Sequence, residues 1–134
     1  MKQLNTYLIF KGDCKDALAF YKECLNGEIV AMKTFEDVPF NISEENKDFV
    51  FDSEFRAGDI TLRASDSLPE NEITIGSNFA LFVDFSERKE HQEVFAKLSK
   101  GGHIIMPLAH SPSGSKFGML SDKFGIQWML ACHN

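Results

Sequence analysis

The sequence predicts an α+β protein built from two tandem βαβββ modules, residues 1–70 and 75–134. The same order of segments, one strand, one helix and three strands, occurs twice along the chain. Gly27 and Gly101, which are each placed to end a helix, lie 74 positions apart. A period of about 70 residues is too long for a solenoid repeat and indicates a duplicated module.

In the first module, residues 5–10 form the first predicted strand. Asp13 is predicted as the N-cap of the following helix, because its side chain can accept a bond from a free backbone N–H. Gly27 is predicted to end this helix in the left-handed conformation. A strand over residues 28–35 comes next, followed by a polar loop over residues 36–46. Two strands within residues 49–66, joined around Ala57-Gly58-Asp59, complete the module.

The second module begins with a predicted strand over residues 78–85. Asp84 and Glu87 have the spacing of a capping box, which predicts a helix start there. The apolar stripe of that helix repeats at helical spacing up to Gly101. The remaining strands are predicted within residues 102–108, 117–122 and 125–132, with Trp128 holding the last of them under a helix.

Composition and charge exclude several classes of partner. The net charge is −6 and the Lys and Arg residues are not clustered, which argues against a nucleic acid. The apolar runs are too short for a signal peptide or a membrane span, so we expect no membrane partner. Three cysteines without a CxxC pair read as reduced thiols, which predicts a cytoplasmic location.

Several stretches resemble the PhnB-like branch of the vicinal oxygen chelate (VOC) superfamily, which is also labelled as a demethylubiquinone methyltransferase domain. They are YLIFKGDCKDALAFYKECLNGEI (7–29), FRAGDITLRASD (55–66), FALFVDFSE (79–87), LSKGGHIIMPL (98–108) and FGMLSDKFGIQWML (117–130). The resemblance implies mixed sheets around a cleft, with the helices outside, and a homodimer. A methyltransferase activity is not predicted, since the chain lacks a glycine-rich strand-to-helix turn for a nucleotide cofactor.

Metalloenzymes of the superfamily place one ligand on the first strand and one on the last strand of each module. The resemblance carries these positions to Asn5, Leu62, Asn78 and Met129. Two amides, a leucine and a thioether do not form the imidazole, carboxylate or thiolate set that Zn²⁺, Ni²⁺ or Fe²⁺ requires. We therefore expect neither a catalytic metal nor another cofactor.

The same positions predict a ligand cleft. Asn5 and Asn78 can hydrogen-bond a polar group of a ligand or satisfy neighbouring backbone groups. Tyr7 and Phe82 follow them by strand alternation and either line the cleft or pack in the core. Leu62 and Met129 complete the predicted lining.

Three further residues have two readings each. Arg63 is an anion site if it faces inward, and a solvated cation if Ile60, Leu62 and Ala64 form the inward face. Asp52 is either a buried general base or a surface carboxylate. His110 opens a Gly/Ser/Pro loop in which no GxSxG motif accompanies it, so a plain loop residue is favoured over a hydrolase residue.

The sequence thus favours a metal-independent protein that binds a small, mostly apolar or aromatic molecule. The alternative is an enzyme, such as a lyase, isomerase or dioxygenase, with a metal held by another set that includes Asp52 and His110. An interaction module without a ligand is a third possibility.

Overall fold

The computed structural model describes residues 1–39 and 41–133, which divide into two compact units, Met1–Ile73 and Thr74–Asn134. The strands and helices of the first unit are β1 (Thr6–Phe10), α1 (Cys14–Leu25), β2 (Glu28–Thr34), β3 (Val50–Ala57) and β4 (Ile60–Asp66). Those of the second unit are β5 (Leu81–Phe85), α2 (Arg88–Ser99), β6 (His103–His110), β7 (Lys116–Ser121) and β8 (Gln127–Cys132). The predicted loop of residues 36–46 contains parts of two short 3-10 turns, Phe35–Asp37 and Glu44–Asn46, and its residue Phe40 lies outside the described part.

Both units have the same sheet topology. The strand orders are β1-β4-β3-β2 and β5-β8-β7-β6. In each unit the first and last strands pair in parallel, and the other neighbours are antiparallel. Each helix packs an apolar stripe on its own sheet. The predicted α+β class with two βαβββ modules is confirmed, and a cleft shared by the modules stays a prediction.

A buried carboxylate ties the start of α1 to the first sheet. Asp66 at the end of β4 is only 5% exposed. Its Oδ1 accepts the backbone N–H groups of Gly12 and Cys14, and its Oδ2 accepts that of Val50, each at 2.9 Å. Asp13 is the N-cap residue, as predicted, but its side chain makes no capping bond. The negative charge that a helix N-terminus favours is therefore supplied from the last strand of the unit.

The prediction that Gly27 adopts the left-handed conformation is wrong. Asn26 has that conformation, with φ of 53°, and its N–H bonds the carbonyl of Lys22. Gly27 is required for space, because a Cβ there would lie 2.6 Å from the carbonyl oxygen of Arg56. Helix α1 consequently ends close against the β3–β4 hairpin.

The second unit divides the same two roles between two glycines. Gly101 has the left-handed φ, 79°, and a Cβ on Gly102 would lie 2.1 Å from the carbonyl oxygen of Ser121. Asn26 and Gly101 are thus equivalent, as are Gly27 and Gly102. The true offset between the modules here is 75 positions, one more than the pairing of Gly27 with Gly101 suggests.

The start of the second unit differs from the prediction in two respects. Strand β5 begins at Leu81, not at residue 78. The capping box is wrong, because Asp84 belongs to β5 and lies 3.3 Å from Nε2 of His133. Helix α2 begins at Arg88 after the N-cap residue Glu87, which makes no side-chain capping bond.

A second buried carboxylate fixes the approach to β8. Asp122, 3% exposed, accepts the backbone N–H groups of Phe124 and Ile126 with Oδ1. Its Oδ2 accepts a bond from Nε1 of the fully buried Trp128 at 2.9 Å. Because these bonds join the turn to the strand, the last strand of the sequence is held firmly in the sheet.

Neither helix in the described part of the chain is long and apolar enough to cross a membrane.

Candidate functional site

Each sheet has one face covered by its helix and one face that the helix does not cover. In the first unit the buried residues Leu8 and Phe10 alternate with Tyr7 and Ile9, which are about half exposed. In the second unit Phe82 is 59% exposed in the same way. We refer to the side that the helix does not cover as the helix-free face of the sheet, and Tyr7, Arg63, Phe82 and Met129 lie on it.

The orientation of β4 differs from the predicted cleft lining, in which Leu62 faces the ligand. Leu62 is 3% exposed and lies on the same side as Asp66, which bonds the start of α1. Arg63 is the residue opposite Tyr7 in the β1–β4 register, so it lies on the helix-free face. The apolar side of β4 faces the helix because that is where the core of each unit forms.

A hydrogen-bonded network covers the helix-free face of the first unit. The hydroxyl of Tyr7 donates to Oδ1 of Asp52 at 3.1 Å, and Arg63 donates to Oδ2 of the same carboxylate. The other terminal nitrogen of the Arg63 guanidinium, Nη1, donates to Oε1 of Glu54 at 3.0 Å. Oε2 of Glu54 lies 2.7 Å from Nη2 of Arg56. Two arginines and two carboxylates thus neutralise one another, and neither of the two readings of Arg63, an open anion site or a free solvated cation, describes it.

The hydroxyl of Tyr7 is a hydrogen-bond donor over the whole physiological pH range. Partial burial is the main cause that raises its pKa above the ordinary value. The negative charge of Asp52 and the bond to it add to this effect, against a hydrogen bond with Ser65 and the charge of Arg63. A protonated phenol beside a carboxylate can donate a bond or a proton but is a poor base.

The helix-free face of the second unit is apolar at the equivalent positions. Phe82 lies opposite Met129, Met129 opposite Met119, and Met119 opposite Met106. These four side chains form one row across β5, β8, β7 and β6, which we call the methionine row. It places Phe82 and Met129, both predicted from the sequence, side by side.

Asn5 and Asn78 do not occupy equivalent positions. Asn5 is the exposed residue before β1, whereas Asn78 is exposed in a bend before β5, which begins three residues later. Tyr7 and Phe82 are equivalent by their strand pairing, so the counterpart of Asn5 is Ala80. The prediction of two symmetric amides at the heads of the first strands is therefore wrong.

His110 lies at the end of β6, exposed and opposite Lys116 of β7. Asp52, its predicted partner in the alternative metal set, belongs to the other unit. One oxygen of Asp52 accepts a bond from Tyr7 and the other accepts a bond from Arg63. Within residues 1–39 and 41–133, no group of three or more His, Cys, Asp or Glu side chains is placed to hold a metal ion.

Three residues of these two faces were not predicted from the sequence: Glu54 of the charged network, and Met119 and Met106 of the methionine row. Glu54 alternates with Asp52 on β3, which was a visible signal for a second carboxylate on the same face. Met119 could have been found from the pairing of the final hairpin. Met106 follows an irregularity in the pairing of β6, which the sequence does not reveal.

Comparison with known proteins places the chain in a family. Residues 2–131 match the model of the family described as 3-demethylubiquinone-9 3-methyltransferase. Protein YjdN of Escherichia coli K12 is 27% identical over 137 residues, which cover 95% of this chain and 92% of YjdN.

Solved structures with the same fold include close and distant examples. Protein PA1353 of Pseudomonas aeruginosa is 31% identical, with a TM-score of 0.89 and 98% of both chains covered. The PhnB protein of Bacillus cereus is 28% identical, with a TM-score of 0.82 and coverage of 98% of this chain and 99% of its own. The fosfomycin resistance protein FosX of Listeria monocytogenes, at 12% identity and a TM-score of 0.67, covers 97% of this chain and 92% of its own and shares the fold alone.

Proposed function

Because this chain belongs to the PhnB-like family of the VOC superfamily, whose model is described as 3-demethylubiquinone-9 3-methyltransferase, we propose that it binds a small, mostly apolar or aromatic molecule without a metal ion. The proposed binding surface is the helix-free side of the sheets. Methyl transfer is not part of the proposal, since the turn between β1 and α1 contains a single glycine, Gly12, where a nucleotide cofactor would need a glycine-rich turn.

The methionine row is the observation that carries this proposal. Phe82 and Met106 are 59% and 49% exposed, and Met119 and Met129 are half-buried. Methionine side chains are flexible and polarisable, and their sulfur makes favourable contacts with aromatic rings. Small-molecule sites are mostly apolar with a few polar groups, which is the composition of this face.

The charged network of the first unit supports a neutral ligand over an anionic one. Both arms of the Arg63 guanidinium already bond carboxylates, Asp52 and Glu54. An anion would have to displace one of them and then lie beside it. The hydroxyl of Tyr7 donates its hydrogen bond to Asp52, and its oxygen is the polar atom of this face that a neutral ligand can use as an acceptor.

The test is a screen of small neutral aromatic compounds by thermal shift and ligand-observed NMR. A ligand at about 100 times its Kd should add roughly 2.7 kcal/mol of stability. Met129→Lys should weaken binding because it places a charge in the row. Val30→Lys adds the same charge at an exposed apolar residue of β2 and should not. A binder that Met129→Lys leaves unaffected contradicts the proposed surface.

An enzymatic function is the second candidate, favoured by the contact between Tyr7 and Asp52. A protonated phenol that is hydrogen-bonded to a carboxylate can polarise or protonate a substrate oxygen in a lyase or isomerase. Its metal dependence is tested by metal analysis of the purified protein and by melting with Ni²⁺, Zn²⁺, Mn²⁺, Fe²⁺ or Co²⁺. A stoichiometric metal content, or stabilisation of the fold by one of these ions alone, would favour the enzymatic function over metal-independent binding.

We also propose a homodimer in the cytoplasm. Edge strand β6 exposes Ile104, Ile105 and Met106, and an exposed apolar edge favours pairing with another chain. Ile104→Lys should then shift the sedimentation coefficient toward that of a monomer, and an unchanged value would exclude this edge. The cytoplasmic location is supported by the three buried cysteines, which are in the reduced thiol form.

A further inference from the structure

We propose that Met106, Met119 and Met129 form a binding site for a soft monovalent metal ion, Cu(I) or Ag(I). The site lies within the second unit and does not depend on the proposed function. It shares only Met129 with the divalent-metal positions of the superfamily, and its three donors are thioether sulfurs from adjacent strands of one sheet.

The three thioethers are brought together by strand register. Met119 lies directly opposite Met129 on one side and directly opposite Met106 on the other. Directly opposite side chains in antiparallel strands have Cβ atoms about 5 Å apart. A methionine has three rotatable bonds beyond its Cα, so sulfurs from both flanking strands can reach a point above Met119.

An irregularity in β6 delivers the third methionine. Ile104 lies opposite Leu120, so regular pairing would place Ile105 opposite Met119. The pairing shifts between Ile104 and Met106, and Met106 takes that place instead. Bulges re-aim side chains, and β2 of the first unit has the same shift between Ile29 and Ala31, so the second unit differs in carrying a methionine at that place. The extra residue therefore exchanges a hydrocarbon side chain for a thioether at the end of the row.

The chemistry around the row suits a soft cation. Thioethers select Cu(I) and are poor ligands for Mg²⁺, Ca²⁺ or Mn²⁺, which prefer oxygen. Phe82 ends the row, and an aromatic face attracts a cation. On this face of β7 and β8 the row is flanked by Phe117 and Ala131 on one side and by the neutral side chains of Ser121 and Gln127 on the other. The nearby carboxylate, Asp84 of β5, pairs with His133. A hard ion therefore gains little here.

Burial shields the thiols of the folded protein from an added ion. All three cysteines are buried, with exposures of 0% to 4%. Burial, together with the nearby charge of Asp66, raises the pKa of Cys14 to about 12. A thiol in that environment is protonated at neutral pH and is not a ready ligand.

The experiment is a titration with Ag⁺, a redox-inert probe for Cu(I), of protein labelled with ¹³C in its methionine methyl groups. The chain has five methionines, so each gives its own signal. We expect the signals of Met106, Met119 and Met129 to shift together and to saturate at one ion per chain, while those of Met1 and Met32 stay in place.

Two matched variants decide the assignment. Met119→Leu nearly conserves volume and removes the central sulfur, so it should weaken Ag⁺ binding about tenfold or more. Met32→Leu makes the same change on β2 of the first unit and should leave the affinity unchanged. Equal shifts of all five signals, full affinity in Met119→Leu, or unfolding as Ag⁺ reaches the cysteines would each overturn the proposal.

Discussion

The helix-free faces of the two sheets share a backbone pattern and differ in chemistry. In the first unit the row across the sheet is Tyr7, Arg63, Glu54 and Ala31. At the same places in the second unit the row is Phe82, Met129, Met119 and Met106. Three side chains of the first row join a hydrogen-bonded network through Asp52, whereas the second row is a polarisable apolar surface.

The difference extends to the whole units. Residues 1–73 contain eight basic and fifteen acidic side chains, a net charge of −7, and residues 74–134 contain six and five, a net charge of +1. Strand pairing and helix packing are the same in both, so duplication kept the positions of side chains and left their chemistry free to diverge. Exchanging single residues between equivalent positions therefore tests which features belong to the fold and which belong to each surface.

The largest effect is expected at the ends of the parallel strands β4 and β8, where Asp66 and Cys132 are equivalent. Asp66→Ala leaves three backbone N–H groups without their acceptor, two of them buried, so it should lower the free energy of unfolding by about 3 kcal/mol. Cys132→Ala removes a small, neutral buried group and should cost about 1 kcal/mol. Urea denaturation measures both, and equal losses would show that Asp66 does not hold the helix start.

Arg63→Met gives the first unit the residue that the second unit has at that place. It leaves Asp52 and Glu54 facing each other without their shared cation, and the loss should be about 1.5 kcal/mol because all three side chains are part-exposed. Arg63→Lys, which keeps the charge but not the two-armed geometry, should lose less. If Arg63→Met is as stable as the parent protein, the network contributes to surface chemistry alone.

Tyr7→Phe likewise makes the first unit resemble the second, and its main effect should depend on pH. The pKa of Tyr7 is raised in the folded state, so above an unfolded value of about 10 the unfolded chain loses the proton first. The stability that this group contributes is complete below pH 10 and is lost as the pH rises further. The parent protein should therefore lose more stability than Tyr7→Phe between pH 10 and the raised pKa, and parallel curves would contradict the assignment.

The smallest effect is expected from the reverse exchange, Phe82→Tyr. The place of Asp52 is taken by Phe117 in the second unit, so the new hydroxyl has no carboxylate to bond. The stability should change by less than about 0.5 kcal/mol. Thermal unfolding at neutral pH measures this, and a clear gain would mean that another acceptor lies within reach.

The order of elements could be predicted from the sequence, whereas the face of β4 could not. Alternation separates Leu62 from Arg63, but only packing against α1 decides which of them is buried. Alternation also places Tyr7 and Phe82 at equivalent positions. Asn5 and Asn78 are not equivalent, because β5 begins at Leu81 and not at residue 78. The place of Met106 depends on a bulge, which a residue pattern does not show.

The position of β8 between β5 and β7 has a consequence for synthesis on the ribosome. The first unit has all its strands once residue 66 has emerged, and it can fold while the rest is still being made. The second sheet lacks its inner strand until residues 127–132 emerge, so β5 and β7 wait with unpaired edges. A nascent chain from which residues 127–132 have not yet emerged therefore carries one unit with all its strands and one sheet with open strand edges, which can pair with other chains.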